Sequence, residues 1–381
     1  MKKIYSLIKN IFTFPLFVFL FTSFKLINII IGKDIKFINY VQSEIGSATW
    51  LDIFFRTRIK NNNKDIIICC VTGSHVANDF IESLRRELFK KFNILNIENK
   101  YLNFILKPIF LYENSLISLN YISPNFNVLT KIPKFDWLGN KKNQYELELK
   151  EFFNLKKDDW FVCFFARDSY YDEIHRSNLA EKMQVRNSDI NTYVKSMQFI
   201  TDMGGYAIRV GRFQKNKIVD NNNEKIIDYS FIKERNSKID FLLMIFCKFC
   251  VGSSSGIIDL ASINNVPLGL VNEYEYIRSQ GISKGTFIPK LLIDKNDKIV
   301  SKKDYLKNIG YPKSINKLLK NVNQFNYKYK DNTEDEILMI TKDFYYTFVK
   351  SENPNLSLIK NIYENNELKI YKSFYDEFLK D

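Results

Sequence analysis

Continuous apolar runs alternate with amphipathic stretches along most of the chain, in the order strand, loop, helix. Residues 65–72 are almost entirely apolar, as a strand buried on both faces of a parallel sheet requires. In the stretch that follows, Val76, Phe80, Leu84 and Leu88 recur every four residues with charges between them, which predicts a helix with one buried face. The alternation predicts an α/β fold.

The same alternation returns after residue 160 with clearer boundaries. Ser188 is predicted to cap a helix that ends at Gly204-Gly205, and residues 141–143 are polar enough to form a hinge. Strands are predicted at 160–166, 206–210, 224–227, 248–251 and 266–271, and further helices at 239–246, 256–263, 334–350 and 356–379. The pattern predicts two Rossmann-like domains, at 34–140 and 141–330, followed by C-terminal helices in 331–381.

The N-terminus differs from the rest, because residues 11–31 are almost wholly apolar and lysines precede them. This stretch is about long enough to span a bilayer, but Pro15 and Lys25 favour an interfacial or re-entrant segment equally. A core helix that covers the first domain is the third interpretation. Residues 1–33 are therefore predicted to be a membrane-associated or packing helix.

Charge and cysteine content narrow the class of protein. The 381 residues carry a net charge of +13, but the lysines are scattered among acidic residues and no recognition motif accompanies them, which argues against nucleic-acid binding. The five cysteines lie in apolar contexts, and no second pair accompanies Cys247 and Cys250 to complete a zinc site. We expect buried free thiols in a reducing cytosol.

Polar residues gather where the predicted strands of the second half end. Arg167-Asp168 follows one strand, Arg209 ends another, and Gly252 to Gly256 forms a Ser/Gly turn that opens a helix. Arginines and a helix N-terminus at the carboxyl edge of a parallel sheet bind phosphate, which predicts a phosphate-bearing donor. A salt bridge for Arg167, and a structural pair between Arg209 and Asp228, are the alternatives. The predicted donor-binding residues are Arg167, Arg186, Asn187, Arg209, Gly211, Asp228, Tyr229, Gly252, Ser253, Ser254, Ser255, Gly256 and Asn272.

His75 and His175 are the only histidines, so a histidine general base must be one of them. Asp168 is the third candidate, since a carboxylate beside Arg167 stays ionised. No Asp-x-Asp pair stands in a suitable loop, which favours metal-independent chemistry, and no cofactor is expected.

In these residues the chain resembles a family of bacterial glycosyltransferases of the two-domain GT-B fold, encoded among surface-polysaccharide genes. The Arg-Asp strand end is also similar, more distantly, to a motif of metal-independent fucosyltransferases. The first-domain loop resembles one in which relatives often carry Ile-Gly-His, whereas this chain has Gly46-Ser47. The marks of the resemblance are Arg167-Asp168, Tyr170-Tyr171, His175, Arg186-Asn187, Asp189-Ile190, Tyr193, Arg209, Gly211, Ile227 to Tyr229, Asp240, Cys247, Phe249, Gly252 to Gly256, Asn272, Ile288 to Lys290 and, in the first domain, Ala77-Asn78 and Arg86.

The resemblance implies two domains facing a cleft and transfer of a sugar from a nucleotide-sugar donor to a surface glycan or a lipid-linked acceptor. Gly46 and Ser47 would then belong to an acceptor loop. Together with the apolar N-terminus, it implies an enzyme at the cytoplasmic face of the inner membrane. A sugar-nucleotide epimerase of similar fold and a non-catalytic nucleotide- or glycan-binding subunit are the alternatives.

Overall fold

The computed structural model describes residues 2–32, 35–60, 66–112, 132–177, 180–219, 222–274, 285–310 and 314–351. The chain divides into two compact units, Met1–Leu138 and Gly139–Asp381. Each unit contains a sheet of parallel strands with helices between them, which confirms the predicted α/β class.

The first unit holds a three-stranded parallel sheet in the order β1-β2-β3. Its third strand was not predicted, because four residues with exposed Leu95 and Asn96 at their centre lack a continuous apolar run. The elements of this unit are α1 Lys2–Ile31, β1 Ile35–Val41, α2 Ser47–Lys60, β2 Ile66–Thr72, α3 Asp79–Lys91, β3 Ile94–Ile97 and α4 Lys100–Tyr112.

Helix α1 packs on the core of the first unit and against α4. Its Leu20 and Phe24 contact a buried cluster that includes Ile35, Ile68 and Leu106. Within the described residues, no helix combines the length and the apolarity needed to cross a membrane.

The second unit holds a six-stranded parallel sheet in the order β6-β5-β4-β7-β8-β9 and a small antiparallel pair, β10-β11. Its strands are β4 Phe161–Phe165, β5 Tyr206–Arg209, β6 Ile226–Asp228, β7 Cys250–Gly252, β8 Leu268–Glu273, β9 Gly285–Pro289, β10 Leu291–Ile293 and β11 Lys328–Lys330. Its helices are α5 Lys142–Phe152, α6 Tyr170–His175, α7 Ala180–Met183, α8 Val194–Asp202, α9 Ser237–Phe246, α10 Gly256–Ile263, α11 Lys302–Asn308, α12 Ile315–Gln324 and α13 Glu334–Phe348.

The order of the six strands is that of the dinucleotide-binding Rossmann fold, in which the strand order reverses beside the first strand. Here the first strand is β4 and the reversal lies between β4 and β7. The predicted series ended at Val271 and was one strand short. Strand β9 escaped prediction because it runs from a glycine to a proline, both poor strand formers.

Local chemistry explains where two helices begin. Asp189, and not the predicted Ser188, caps the turn Ile190–Tyr193 that leads into α8, because its side chain accepts the Asn191 N–H. At the N-terminus of α13, Thr333 and Glu336 form a capping box, and the helix begins at Glu334 as predicted. The helix predicted at 356–379 lies outside the described residues. All five cysteines are buried and free, as expected.

Candidate functional site

The switch point of the second sheet brings the ends of β4 and β7 unusually close. Phe165 pairs with Gly252, and a Cβ atom on Gly252 would lie 2.5 Å from the Phe165 carbonyl oxygen, so a larger residue would push the strands apart. Beyond the strands, Ser253 N donates to Phe165 O at 3.0 Å, and Arg167 N donates to Ser253 Oγ at 2.9 Å. The predicted Arg-Asp strand end and Ser/Gly turn therefore lie in contact.

Arg167 is a buried arginine with two side-chain partners. Its Nη2 donates to Asp172 Oδ2 at 2.5 Å and its Nη1 to Asn187 Oδ1 at 2.8 Å. Asp172 is 1% exposed and its other oxygen, Oδ1, has no hydrogen-bond partner among the described residues. The pair thus fixes the guanidinium at the end of β4, and a buried acceptor lies beside it.

The Ser/Gly turn presents the N-terminus of α10 at the same edge. Ser255 is the N-cap residue, with extended backbone angles, but its side chain makes no capping hydrogen bond. The first N–H groups of a helix carry a partial positive charge and favour an anion. Arg186 approaches this turn, since its Nη2 donates to Ser254 O at 3.1 Å and its guanidinium lies 6.0 Å from the Tyr274 ring centroid.

Arg209, at the end of β5, is enclosed by the protein. It is 1% exposed; Nη1 donates to Asn216 O at 2.6 Å and to Asp228 Oδ2 at 3.0 Å, and Nη2 donates to Gln214 Oε1 at 3.0 Å. Burial lowers the pKa of Arg209, and the Asp228 carboxylate partly offsets that effect. Of the two interpretations left open for Arg209, the structural pair with Asp228 fits this geometry better.

Four other predicted donor-binding residues have structural roles in loops. Asp228 Oδ2 accepts a second hydrogen bond from Ile218 N at 3.0 Å. The Tyr229 hydroxyl exchanges hydrogen bonds with the Asn236 backbone, and the backbone N–H groups of Asn272 and Asn332 each donate to the other residue's side-chain oxygen. Gly211 has a φ of +125°, and a Cβ atom there would lie 2.9 Å from the Phe165 ring.

Asp168 and His175, two candidate bases, lie near each other in sequence but have different surroundings. Asp168 accepts the backbone N–H of Tyr170 at 3.0 Å and that of Lys215 at 2.6 Å, so its carboxylate anchors two loops. His175 is exposed at the end of α6 and packs against the rings of Tyr171 and Phe213, at centroid distances of 4.9 and 5.0 Å. A proton acceptor must reach solvent or substrate, which favours His175.

The third candidate base and the predicted acceptor loop lie at the carboxyl edge of the first sheet. Gln42 N donates to Thr72 O at 2.8 Å and Ala77 N donates to Gln42 O at 2.9 Å, which ties the loop after β1 to the loop after β2. Ser47 starts α2 and is buried, with Gly46 directly before it. His75 Nδ1 lies 3.2 Å from Ser74 Oγ.

Several residues at the second edge were absent from the predicted set. Asp172 is the buried partner of Arg167, and Lys290 is 3% exposed with its Nζ 2.6 Å from Asn187 O and 2.7 Å from an Asp331 oxygen. Arg212 stacks on Phe213 at 4.8 Å. An acidic residue shortly after a strand-end arginine indicates a buried ion pair such as Arg167–Asp172. This sequence signal does not distinguish Asp172 from its neighbour Glu173.

The described residues contain no group of three or more His, Cys, Asp or Glu side chains arranged to hold a metal ion. Beside the Ser/Gly turn, Arg167, Arg186 and the N-terminus of α10 supply positive charge. These groups can balance the charge of a bound phosphate.

No protein-family model matches the chain, and no curated protein matches it. Among solved structures, a glycosyl transferase of family 9 from Veillonella parvula is 10% identical over 81% of this chain and 96% of its own, with a TM-score of 0.45. The ADP-heptose LPS heptosyltransferase II of E. coli is 12% identical over 76% and 98%, with a TM-score of 0.41. A UDP-GlcNAc 2-epimerase from Methanocaldococcus jannaschii is 14% identical over 82% and 99%, with a TM-score of 0.30. Likenesses this distant carry no argument about the reaction.

Proposed function

We propose that this chain is a metal-independent glycosyltransferase of GT-B-like architecture, with two Rossmann-like domains. It would move a sugar from a nucleotide-sugar donor to a surface glycan or a lipid-linked acceptor. One observation carries the proposal: a Rossmann strand order whose switch point holds buried Arg167 in contact with a Ser/Gly turn and a helix N-terminus. Ligands of open α/β sheets bind at such a switch point.

The donor diphosphate would lie against the N–H groups that open α10, with the Ser254 and Ser255 hydroxyls and Arg167 around it. Asp172 would hold the guanidinium of Arg167 in place. In the reaction, the bond between the sugar's anomeric carbon and the diphosphate breaks and a bond to the acceptor oxygen forms. Stabilising the negative charge on the departing diphosphate is the largest contribution expected of these groups.

The acceptor hydroxyl loses its proton in the same step, and His175 is our candidate for the group that takes it. His175 lies one short helix beyond Arg167-Asp168 and is exposed, whereas the oxygens of Asp168 accept two backbone N–H groups. On the first unit, Gly46 and Ser47 would contact the acceptor, together with His75 in the neighbouring loop. We further propose that the enzyme works at the cytoplasmic face of the inner membrane, held there by its N-terminal segment.

Binding of nucleotides tests the proposal directly. Nucleoside diphosphates should raise the melting temperature more than the monophosphates do, because the second phosphate meets Arg167. Arg167→Ala should weaken diphosphate binding by about 1.5–3 kcal/mol, the contribution of a charge-assisted contact. Calorimetric titration of each variant measures this loss.

Two variants make the result interpretable. Arg167→Lys keeps a charge beside buried Asp172 and so protects the fold, but it loses the forked geometry that holds a phosphate. Arg86→Ala removes a half-exposed arginine that pairs with Glu98 in the first unit and should leave nucleotide affinity unchanged. Equal diphosphate affinity in folded Arg167 variants and in wild type would reject the site.

Product analysis separates the reaction from its alternatives. Supplied with a nucleotide sugar alone, an epimerase converts it, whereas a glycosyltransferase needs an acceptor. Tight donor binding without turnover under either condition would favour a non-catalytic subunit.

A further inference from the structure

The surface of the first unit carries an apolar face made by α1 and α4 together. Eleven of the 22 large hydrophobic residues exposed in the described part of the chain lie on these two helices, seven on α1 and four on α4. Scattered exposed hydrophobic residues are normal on a protein surface, whereas half of them on two neighbouring helices indicate a binding surface.

The two helices present their apolar faces on the same side. On α1, Leu20 and Phe24 point into the core, and the most exposed residues lie around the opposite side of the helix. On α4, Leu106 joins the same core and Asn103 donates to Val71 O at 2.7 Å. The helices also pack against each other. The outward residues are Phe19 at 66% exposure, Leu26 at 59%, Ile29 at 78% and Ile30 at 73% on α1, with Tyr101 at 69% and Phe104 at 72% on α4.

The charge of these two helices indicates which kind of partner fits the apolar face. Helices α1 and α4 contain six lysines and no aspartate or glutamate, although the chain as a whole has 43 acidic residues. A partner protein that buried this face would have to cover the exposed Lys25 and Lys100 with acidic groups. An anionic lipid bilayer offers both an apolar interior and a negative surface at once.

We propose that the outward faces of α1 and α4 form one docking surface for an anionic bilayer. The aromatic rings of Tyr101 and Phe104 would enter the interface between headgroups and acyl chains, and the exposed Lys25 and Lys100 would meet the headgroups. The surface extends the proposed membrane association from the N-terminal segment to a second helix. It does not depend on the donor site.

Vesicle co-sedimentation of the full-length chain tests this surface. Binding should be strong to phosphatidylcholine vesicles that contain phosphatidylglycerol, weak to pure phosphatidylcholine, and reduced by added salt. Ile30→Glu and Phe104→Glu, one on each helix, should each lower the partition coefficient at least tenfold. Both side chains are mostly exposed, so folding should survive, and circular dichroism checks that.

Leu95→Glu is the matched control. Leu95 lies on β3 of the same unit and is 57% exposed, so Leu95→Glu adds the same charge to the same unit on an element other than the two helices. An equal loss of binding in Leu95→Glu, or binding that only Ile30→Glu reduces, would overturn the two-helix surface. Failure of the wild type to bind anionic vesicles would overturn it as well, and a concentration-dependent dimer that Phe104→Glu dissociates would assign the face to a second copy. Nucleotide titration of the same variants reports the donor site separately, and we expect it to be unchanged.

Discussion

The carboxyl edges of the two parallel sheets have similar backbones and opposite chemistry. At the edge of the second sheet, Arg167 and Arg209 are buried in ion pairs and Lys290 is almost fully covered. The corresponding loops of the first sheet, residues 42–47 and 73–78, carry hydroxyl, amide and imidazole groups, and Glu44 is their only acidic residue. The same strand–loop–helix unit therefore presents either charged or neutral polar groups, according to the residues in its loops.

Burial of the charged side chains determines how the loops of the second edge are held. An ion removed from water must be paired at close range, and each pair restricts the loops that hold it. Asp172 and Asp228 restrict the second edge in this way. The first edge is held by backbone hydrogen bonds instead, in which Gln42 N donates to Thr72 O and Gln42 O accepts the Ala77 N–H.

The largest expected effect is on turnover, and it distinguishes which sheet edge supplies the general base. His175→Ala should lower turnover by about 10²–10⁴-fold with donor affinity nearly intact, because a general base contributes to the chemical step and not to diphosphate binding. Steady-state rates and donor titration on the same protein measure the two quantities.

His75→Ala is the matched variant at the first edge. A large loss of turnover in His75→Ala, together with normal turnover in His175→Ala, would move the base to the first edge. Loss of donor affinity in His175→Ala would instead make that residue a phosphate contact.

The next largest effect is the loss of stability on removing buried Arg209. Arg209→Ala should lower the free energy of unfolding by about 3–5 kcal/mol, because it leaves the Asp228 carboxylate without its cation. Denaturant titration measures the loss. Arg86→Ala, whose guanidinium pairs with Glu98 at the surface, should cost under about 1 kcal/mol. If the two variants were equally stable, the second edge would not owe its order to buried ion pairs.

A smaller effect separates capping from ligand binding. Asn236→Ala should destabilise the protein by about 0.5–2 kcal/mol, because the Asn236 side chain caps α9 by accepting the Ile239 N–H. Ser255→Ala should change stability little, since that hydroxyl makes no capping bond, yet should weaken diphosphate binding by about 0.5–1.5 kcal/mol. Thermal melts and nucleotide titrations of both proteins give the comparison. Unchanged nucleotide affinity in Ser255→Ala would remove that hydroxyl from the donor site.

The smallest expected effect is that of a chelator. Activity should persist in EDTA, because the arginine and the helix N-terminus neutralise the leaving group without a metal. Complete loss that Mg²⁺ or Mn²⁺ restores would show that a metal takes part at this edge.

Sequence patterns located most elements of the second sheet, because a strand buried on both faces is a continuous apolar run. Strand β3, with exposed Leu95 and Asn96, and strand β9, between Gly285 and Pro289, lack that signal. For the site, the pattern identified residues at strand ends but not their partners. Loop geometry, which no local spacing encodes, decides that Arg209 pairs with Asp228 and does not face solvent. It also decides that Asp172, and not Glu173, pairs with Arg167.

The reciprocal bonds of Asn272 and Asn332 have a consequence for hydrogen exchange. Each side-chain oxygen accepts the other residue's backbone N–H, at 2.6 and 2.7 Å, and Asn332 Nδ2 donates to Pro289 O at 3.0 Å. Two amides at the margins of regular structure are thus protected as if a strand ran beside them. They should exchange only when the ends of β8 and β9 separate from the start of α13. Helix α13 would then open together with the sheet, as one cooperative unit, and would not fray from its end.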